Sequence, residues 1–293
     1  MIFVKMQFII NFRHMEVPGG HNAKSWVCLY EFFGAALLIF TVNASQSGAF
    51  APLAIGLALF AGINMFGDVS GAHFNPAVTT AVFIKEGGDR MGDNFGFMIL
   101  IMFSQVLGCV FGVLIASISL TTADNVALLC PPPGNSKLIS VAEGYECAPA
   151  NGRIGFNMLV AEIIGTFTLC GVILIQKYNS NAPGALKAFA VGLTLTLSIC
   201  MIGGITGGCL NPAVGFVQTI FQDAMIVKRD LGDGVEVTPG YGSLWLYLLG
   251  PLGGGILAGL MSKMDESARE SLQPDIKYRG AYGRNEEEQY MNA

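Results

Sequence analysis

The chain has 293 residues, of which 52% are hydrophobic and only 13% charged, with a net charge of −5. An average soluble domain is about 25% charged, so this composition excludes an ordinary soluble domain and indicates an integral membrane protein. The acidic balance, gathered in Glu286-Glu287-Glu288 and other polar segments, argues against nucleic acid as a partner.

Residues 1–25 are a polar start carrying Lys5, Arg13 and Lys24. Lys5 interrupts the apolar residues there and no small-residue cleavage site follows, so no removable signal peptide is expected. The first span is expected over about 26–42, with Glu31 inside it, and the second over about 50–66. A short apolar stretch then opens at Asn75-Pro76-Ala77 and ends near residue 84. At 1.5 Å per residue it crosses only about half of a ~30 Å hydrocarbon core. The third span is expected over about 95–120, followed by a polar connection, 121–153. The fourth span, about 154–175, contains Glu162, and the fifth covers about 188–203. A second short stretch opens at Asn211-Pro212-Ala213 and runs to about 221. A charged loop, 222–240, leads to the sixth span, about 241–261, and residues 263–293 form a polar tail.

The halves repeat. Residues 54–84 slide by 136 positions onto 190–220 without a gap, and 13 of the 31 positions are identical, Gly71, Asn75, Pro76, Ala77 and Val78 among them. Glu31 and Glu162, 131 apart, open each half in equivalent places. Two repeats, about 26–120 and 154–262, therefore make one channel-like domain over 26–262. Three full spans per repeat is an odd number, so the second repeat enters the membrane inverted. Twelve Lys and Arg fall in the termini and the loops sharing their side, against four (Lys137, Arg153, Lys228, Arg229) on the other. That asymmetry places both termini in the cytosol, in the plasma membrane or an internal one. The expected fold is all-α, with six transmembrane helices plus two half-helices in an inverted repeat.

Asn is a good N-cap and Pro suits the first helical position. If the Asn oxygen caps the half-helix, its NH2 remains available to donate. Inversion brings the two half-helix N-termini together near the midplane. Irregular backbone at that depth is tolerated only where protein buries it or it lines a wet cavity. Asn75 and Asn211 would thus donate at the centre of a water-filled path, with acceptors from the carbonyls of Gly71, Ala72, His73, Gly207, Gly208 and Cys209. Two converging helix dipoles oppose cations there. The reading is a narrow pore for neutral, hydrogen-bonding solutes. An enzyme would need a nucleophile, base or metal cluster, and none is assembled, so neither a cofactor nor a metal is expected.

Together the two boxes, Ser70 to Val78, Glu31, Glu162, Gln105 and Leu244-Trp245-Leu246-Tyr247-Leu248-Leu249-Gly250-Pro251 resemble the major intrinsic protein, or aquaporin, family. The resemblance implies a pore in each subunit, a homotetramer in the lipid bilayer, and a loop-orienting role for Glu31 and Glu162. The chain departs from the family at Val214, where an Arg usually follows the second box. By family spacing the outer filter is Ile55, Ile199, Gly208 and Val214, with no side-chain donor. Such a filter is apolar and wider: a lone water loses partners there, while small neutral solutes with carbon meet less steric rejection, so a channel for water and other small neutral solutes is expected. The loop from Asn211 to Tyr247 is long, as in glycerol-conducting members, whereas Gly215, Thr219 and Tyr247 do not follow their pattern. A channel for glycerol, urea or ammonia is the near alternative. A structural or junction protein with a low-conductance pore is the alternative of another class.

Smaller features have plain and functional readings. Glu31 and Glu162 are loop holders rather than proton relays by their symmetric placement. His73 is a fixed hydrogen-bonding group or a pH sensor. Cys209 faces either the pore or the packing. Asn43-Ala44-Ser45 is a glycosylation sequon whose nearness to the first span argues against use. Cys130 and Cys147 would suit a disulfide if their loop lies outside the cytosol.

Overall fold

The structure is a computed structural model that describes residues 21–45, 49–87, 91–120, 127, 129, 139–141, 144–146, 152–224, 229–230, 236–238 and 241–272. Among the described residues, eight α-helices run in order: α1 His21–Ala44, α2 Ala51–Ser70, α3 Pro76–Glu86, α4 Met91–Ser119, α5 Gly152–Tyr178, α6 Gly184–Thr206, α7 Pro212–Ala224 and α8 Leu244–Leu272. Among the described residues, six helices are long and apolar enough to cross a membrane, all but α3 and α7. The protein is therefore a multi-pass integral membrane protein. α3 and α7, with 11 and 13 residues, are the half-helices.

Several helices overrun the expected spans. α1 starts at His21 rather than near 26, α6 at Gly184 rather than near 188, and α8 continues to Leu272 rather than ending near 261. Polarity ends a span but not a helix. Residues 262–272 are largely good helix formers on an already nucleated helix, and Asp265 and Arg269 form an i,i+4 pair at 2.7 Å. Lys85 at the end of α3 also reaches Glu266 at 2.6 Å, tying this extension to the half-helix.

Among the described residues, four short strands in the connections form a small sheet. They are β1 Ile139–Val141, β2 Gly144–Glu146, β3 Arg229–Asp230 and β4 Glu236–Thr238, in the order β1-β2-β4-β3. β2 runs parallel to β4, with Tyr145 opposite Val237, so the connection between the repeats pairs with the loop after α7. Strands of two or three residues leave no alternation to read in sequence. Cys130 and Cys147 lie outside the described residues.

The packing follows the repeat. α1 packs chiefly on α4 and α5 on α8, while α2 and α6 join the halves. Small residues allow close backbone approach, as is usual between membrane helices. A Cβ at Gly108 would stand 2.1 Å from the Phe32 carbonyl oxygen, and one at Gly254 would stand 2.5 Å from that of Ile163. Each half-helix also reaches into the other repeat, α3 against α8 and α7 against α4. The largest apolar core cluster lies where these elements meet and includes Phe74, Leu210, Ala213 and Val214.

Candidate functional site

The site is built from two loops of the same design. α2 ends at Gly71 (φ 83°) and α6 at Gly207 (φ 90°), each amide donating to the carbonyl four residues earlier. These are left-handed C-caps, for which glycine has no Cβ penalty. The chain then stays unusual, with positive φ at Ala72 (52°), Phe74 (51°), Gly208 (76°) and Leu210 (56°). A non-glycine residue held there costs on the order of 1–3 kcal/mol and persists only when its surroundings over-determine it.

Two buried carboxylates supply that constraint. Glu31 Oε1 accepts from the His73 amide at 2.9 Å and Oε2 from the Phe74 amide at 2.6 Å. Glu162 Oε1 accepts from Cys209 at 3.0 Å and Oε2 from Leu210 at 2.8 Å. Both glutamates are fully buried, and both gain a further donor, Gln105 Nε2 for Glu31 and the Thr206 hydroxyl for Glu162. Hydrogen bonds thus stand in for the water these groups lose. A hydroxyl repeats as well, since Ser70 Oγ accepts from Ala72 and Thr206 Oγ1 from Gly208, both at 3.0 Å. Ser70 and Thr206 are aligned by the repeat, so their pairing was readable from sequence.

Each loop delivers its asparagine to a helix start. Asn75 Oδ1 accepts from Ala77 at 2.8 Å, and Asn211 Oδ1 accepts from Ala213 at 3.0 Å. Pro76, Ala77, Pro212 and Ala213 are buried behind these caps. The amide groups then cross the repeat boundary. Asn75 Nδ2 donates to the Leu210 carbonyl at 2.8 Å and Asn211 Nδ2 to the Phe74 carbonyl at 2.9 Å. Sequence reasoning left both NH2 groups uncommitted. The structure commits one N–H of each to the opposite loop and, among the described residues, leaves one on each.

A cavity of about 380 Å³ adjoins this centre. Its wall includes Asn75, Asn211, His73, Gly207, Cys209 and the four expected filter positions Ile55, Ile199, Gly208 and Val214. Gly208 lies against Ile199, where a Cβ would come within 3.2 Å of Cγ2. Gly71 and Ala72 are not on this wall. The Ala72 side chain belongs to the apolar core.

Beyond the asparagines the loops differ. Thr79 Oγ1 accepts from Gln105 Nε2 at 2.9 Å and lies 3.3 Å from His73 Nδ1, which fixes the imidazole. The aligned position in the other half is Gly215, where a Cβ would stand 2.7 Å from Tyr247 Cβ and 2.8 Å from Cys209 Sγ. Cys209 Sγ donates to the Asn211 carbonyl at 3.2 Å and packs with Met158, Leu246 and Tyr247, so the thiol turns into packing. Tyr247 donates to the Thr206 carbonyl at 2.6 Å.

Asn43, singled out only as a sequon, is fully buried and bonded to Gln218 and Ala127. Gln218 and Gln222 carried no sequence signal of their own. Among the described residues no His, Cys, Asp and Glu side chains gather into a metal-type cluster.

The family profile described as Major intrinsic protein matches residues 22–262. Aquaporin-8 of Rattus norvegicus is 30% identical, over 89% of this chain and 92% of its own length. The glycerol uptake facilitator protein-like 6 of Lactiplantibacillus plantarum is 30% identical, over 80% of this chain and 96% of its own length. The fold is similar to the X-ray structure of the aquaglyceroporin from Plasmodium falciparum, with a TM-score of 0.58 at 21% identity, covering 82% of this chain and 96% of that one. Duplicated loops on buried glutamates, crossed asparagine caps and these likenesses agree: the chain belongs to the major intrinsic protein family.

Proposed function

We propose that the chain is a passive channel for water and small neutral solutes whose outer constriction is apolar. The observation that carries this is the shared cavity: Ile55, Ile199, Gly208 and Val214 line the same wall as the two cap asparagines. A solute crossing the constriction meets aliphatic carbon and no charged donor. A lone water loses hydrogen-bond partners there, whereas a small solute with carbon meets less steric rejection. At the centre the remaining N–H of Asn75 and of Asn211 receive its oxygen. The N-termini of α3 and α7 converge on the same point, and their dipoles oppose cations. Glu31 and Glu162 orient the loops, since both oxygens of each accept from backbone amides.

The relatives named aquaporin and glycerol uptake facilitator both suit this reading, and the missing Arg at Val214 inclines it toward the broader solute range. The Lys and Arg asymmetry puts both termini in the cytosol and the Val214 mouth outside. The family resemblance supports a homotetramer with a pore in each subunit. The reading is tested by comparing the chain with Val214→Arg in proteoliposomes. The substitution restores a donor and positive charge, so glycerol and urea flux should fall relative to water flux. An unchanged ratio would remove Val214 from the filter. Electrical recording should show no cation current.

A further inference from the structure

α7 carries three residues four apart, Val214, Gln218 and Gln222, which share one helix face. The first lines the constriction, and the other two do something unrelated to water. Gln218 Nε2 donates to the Ala127 carbonyl at 2.6 Å and to Asn43 Oδ1 at 3.1 Å. Asn43 Oδ1 accepts in turn from the Ala127 amide at 3.0 Å, and Asn43 Nδ2 donates to Gln218 Oε1 at 2.9 Å. Two positions along, Gln222 Oε1 accepts from the Leu129 amide at 2.9 Å and its Nε2 donates to the Leu129 carbonyl at 3.1 Å. Side-chain amides therefore replace a strand partner for both backbone groups of Ala127 and of Leu129. Asn43, Gln218 and Gln222 are all 1% exposed or less. An amide buried this deeply demands its partners, so the arrangement is specific rather than adhesive.

The clamp bears on the channel because Ala127, Leu129 and Gln218 stand on the cavity wall with Val214. We infer that Asn43, Gln218 and Gln222 are positioning residues that hold Ala127 and Leu129 as a fixed side of the outer mouth, setting the solute size admitted to the Val214 constriction. Ala127 and Leu129, from the connection between the repeats, are thereby part of the filter. In the aligned positions of α3, Val82 and Glu86 stand where α7 has Gln218 and Gln222, so the inner end has no such amide pair.

The proposal rests on the channel reading and deepens it. Hydrogen–deuterium exchange on the full chain in lipid should show the Ala127 and Leu129 amides protected like those of α7. Exchange at the rate of an unstructured peptide would overturn it without any variant. Gln218→Leu, at matched folded protein, should release those amides and raise the permeability ratio of a four-carbon polyol to urea severalfold. Released amides with an unchanged ratio would overturn the size-setting role, because loss of packing alone would scale both fluxes together. Failure of the channel reading looks different: no flux through the unsubstituted chain, whatever the amides do.

Discussion

The two half-helices share a start and differ at their far ends. α3 begins on Asn75 and ends on Glu86, which meets Lys177 at 3.5 Å and takes the Tyr178 hydroxyl. α7 begins on Asn211 and has Gln222 at the aligned place, bonded to uncharged backbone. One turn past each asparagine, Thr79 is wired to Gln105 and His73, while Gly215 leaves room for Tyr247 and Cys209. The parts that hold the strained backbone at the half-helix starts are duplicated. The parts that face the two mouths have diverged, one toward charge and the other toward amides and aliphatic carbon.

Substitutions can break that comparison at successive distances from its shared centre. Glu162→Ala or Glu31→Ala should have the largest effect. Each strands two buried backbone donors at about 1–3 kcal/mol apiece, or roughly 2–6 kcal/mol in all. Thermal unfolding should show a large loss for both, nearly equal between the repeats. A loss confined to one repeat would mean the loops are not equivalent.

Gly215→Thr makes the second loop resemble the first. Its Cβ would meet Tyr247 and Cys209 inside 3 Å, so a destabilisation of about 1–3 kcal/mol is expected. Tyr247→Ala in the same chain should recover part of it, which a double-mutant cycle measures. Val214→Arg is read on permeation, at matched folded protein. Excluding one methylene-sized group is worth about 1–3 kcal/mol, so glycerol flux should drop about tenfold or more against water in swelling assays.

The smallest effect is predicted at the surface. Glu266→Ala removes an ion pair whose carboxylate side chain is 46% exposed, and should change stability by about 0–1 kcal/mol, less at high salt.

What could be read beforehand follows from where the information lies. The boxes and glutamates were legible because the chain states them twice, and because capping needs only neighbours in sequence. The six spans were legible because a bilayer demands long apolar runs. Their helix ends were not, since the residues of α8 past 261 are polar yet good helix formers. The clamp was hidden for another reason. Gln218 lies 91 residues from Ala127 and 175 from Asn43, and no periodicity encodes contacts at that separation. The crossing of Asn75 to the Leu210 carbonyl was likewise hidden, because local chemistry fixes only the capping oxygen and not the destination of the amide.

The central claim is that an apolar constriction containing Val214 admits small neutral solutes beyond water. Stopped-flow light scattering on proteoliposomes, under separate gradients of water, glycerol, urea and ammonia, tests it most directly. The account predicts water flux above protein-free vesicles together with measurable entry of at least one of the other three. Brisk water flux with glycerol, urea and ammonia all excluded would contradict it.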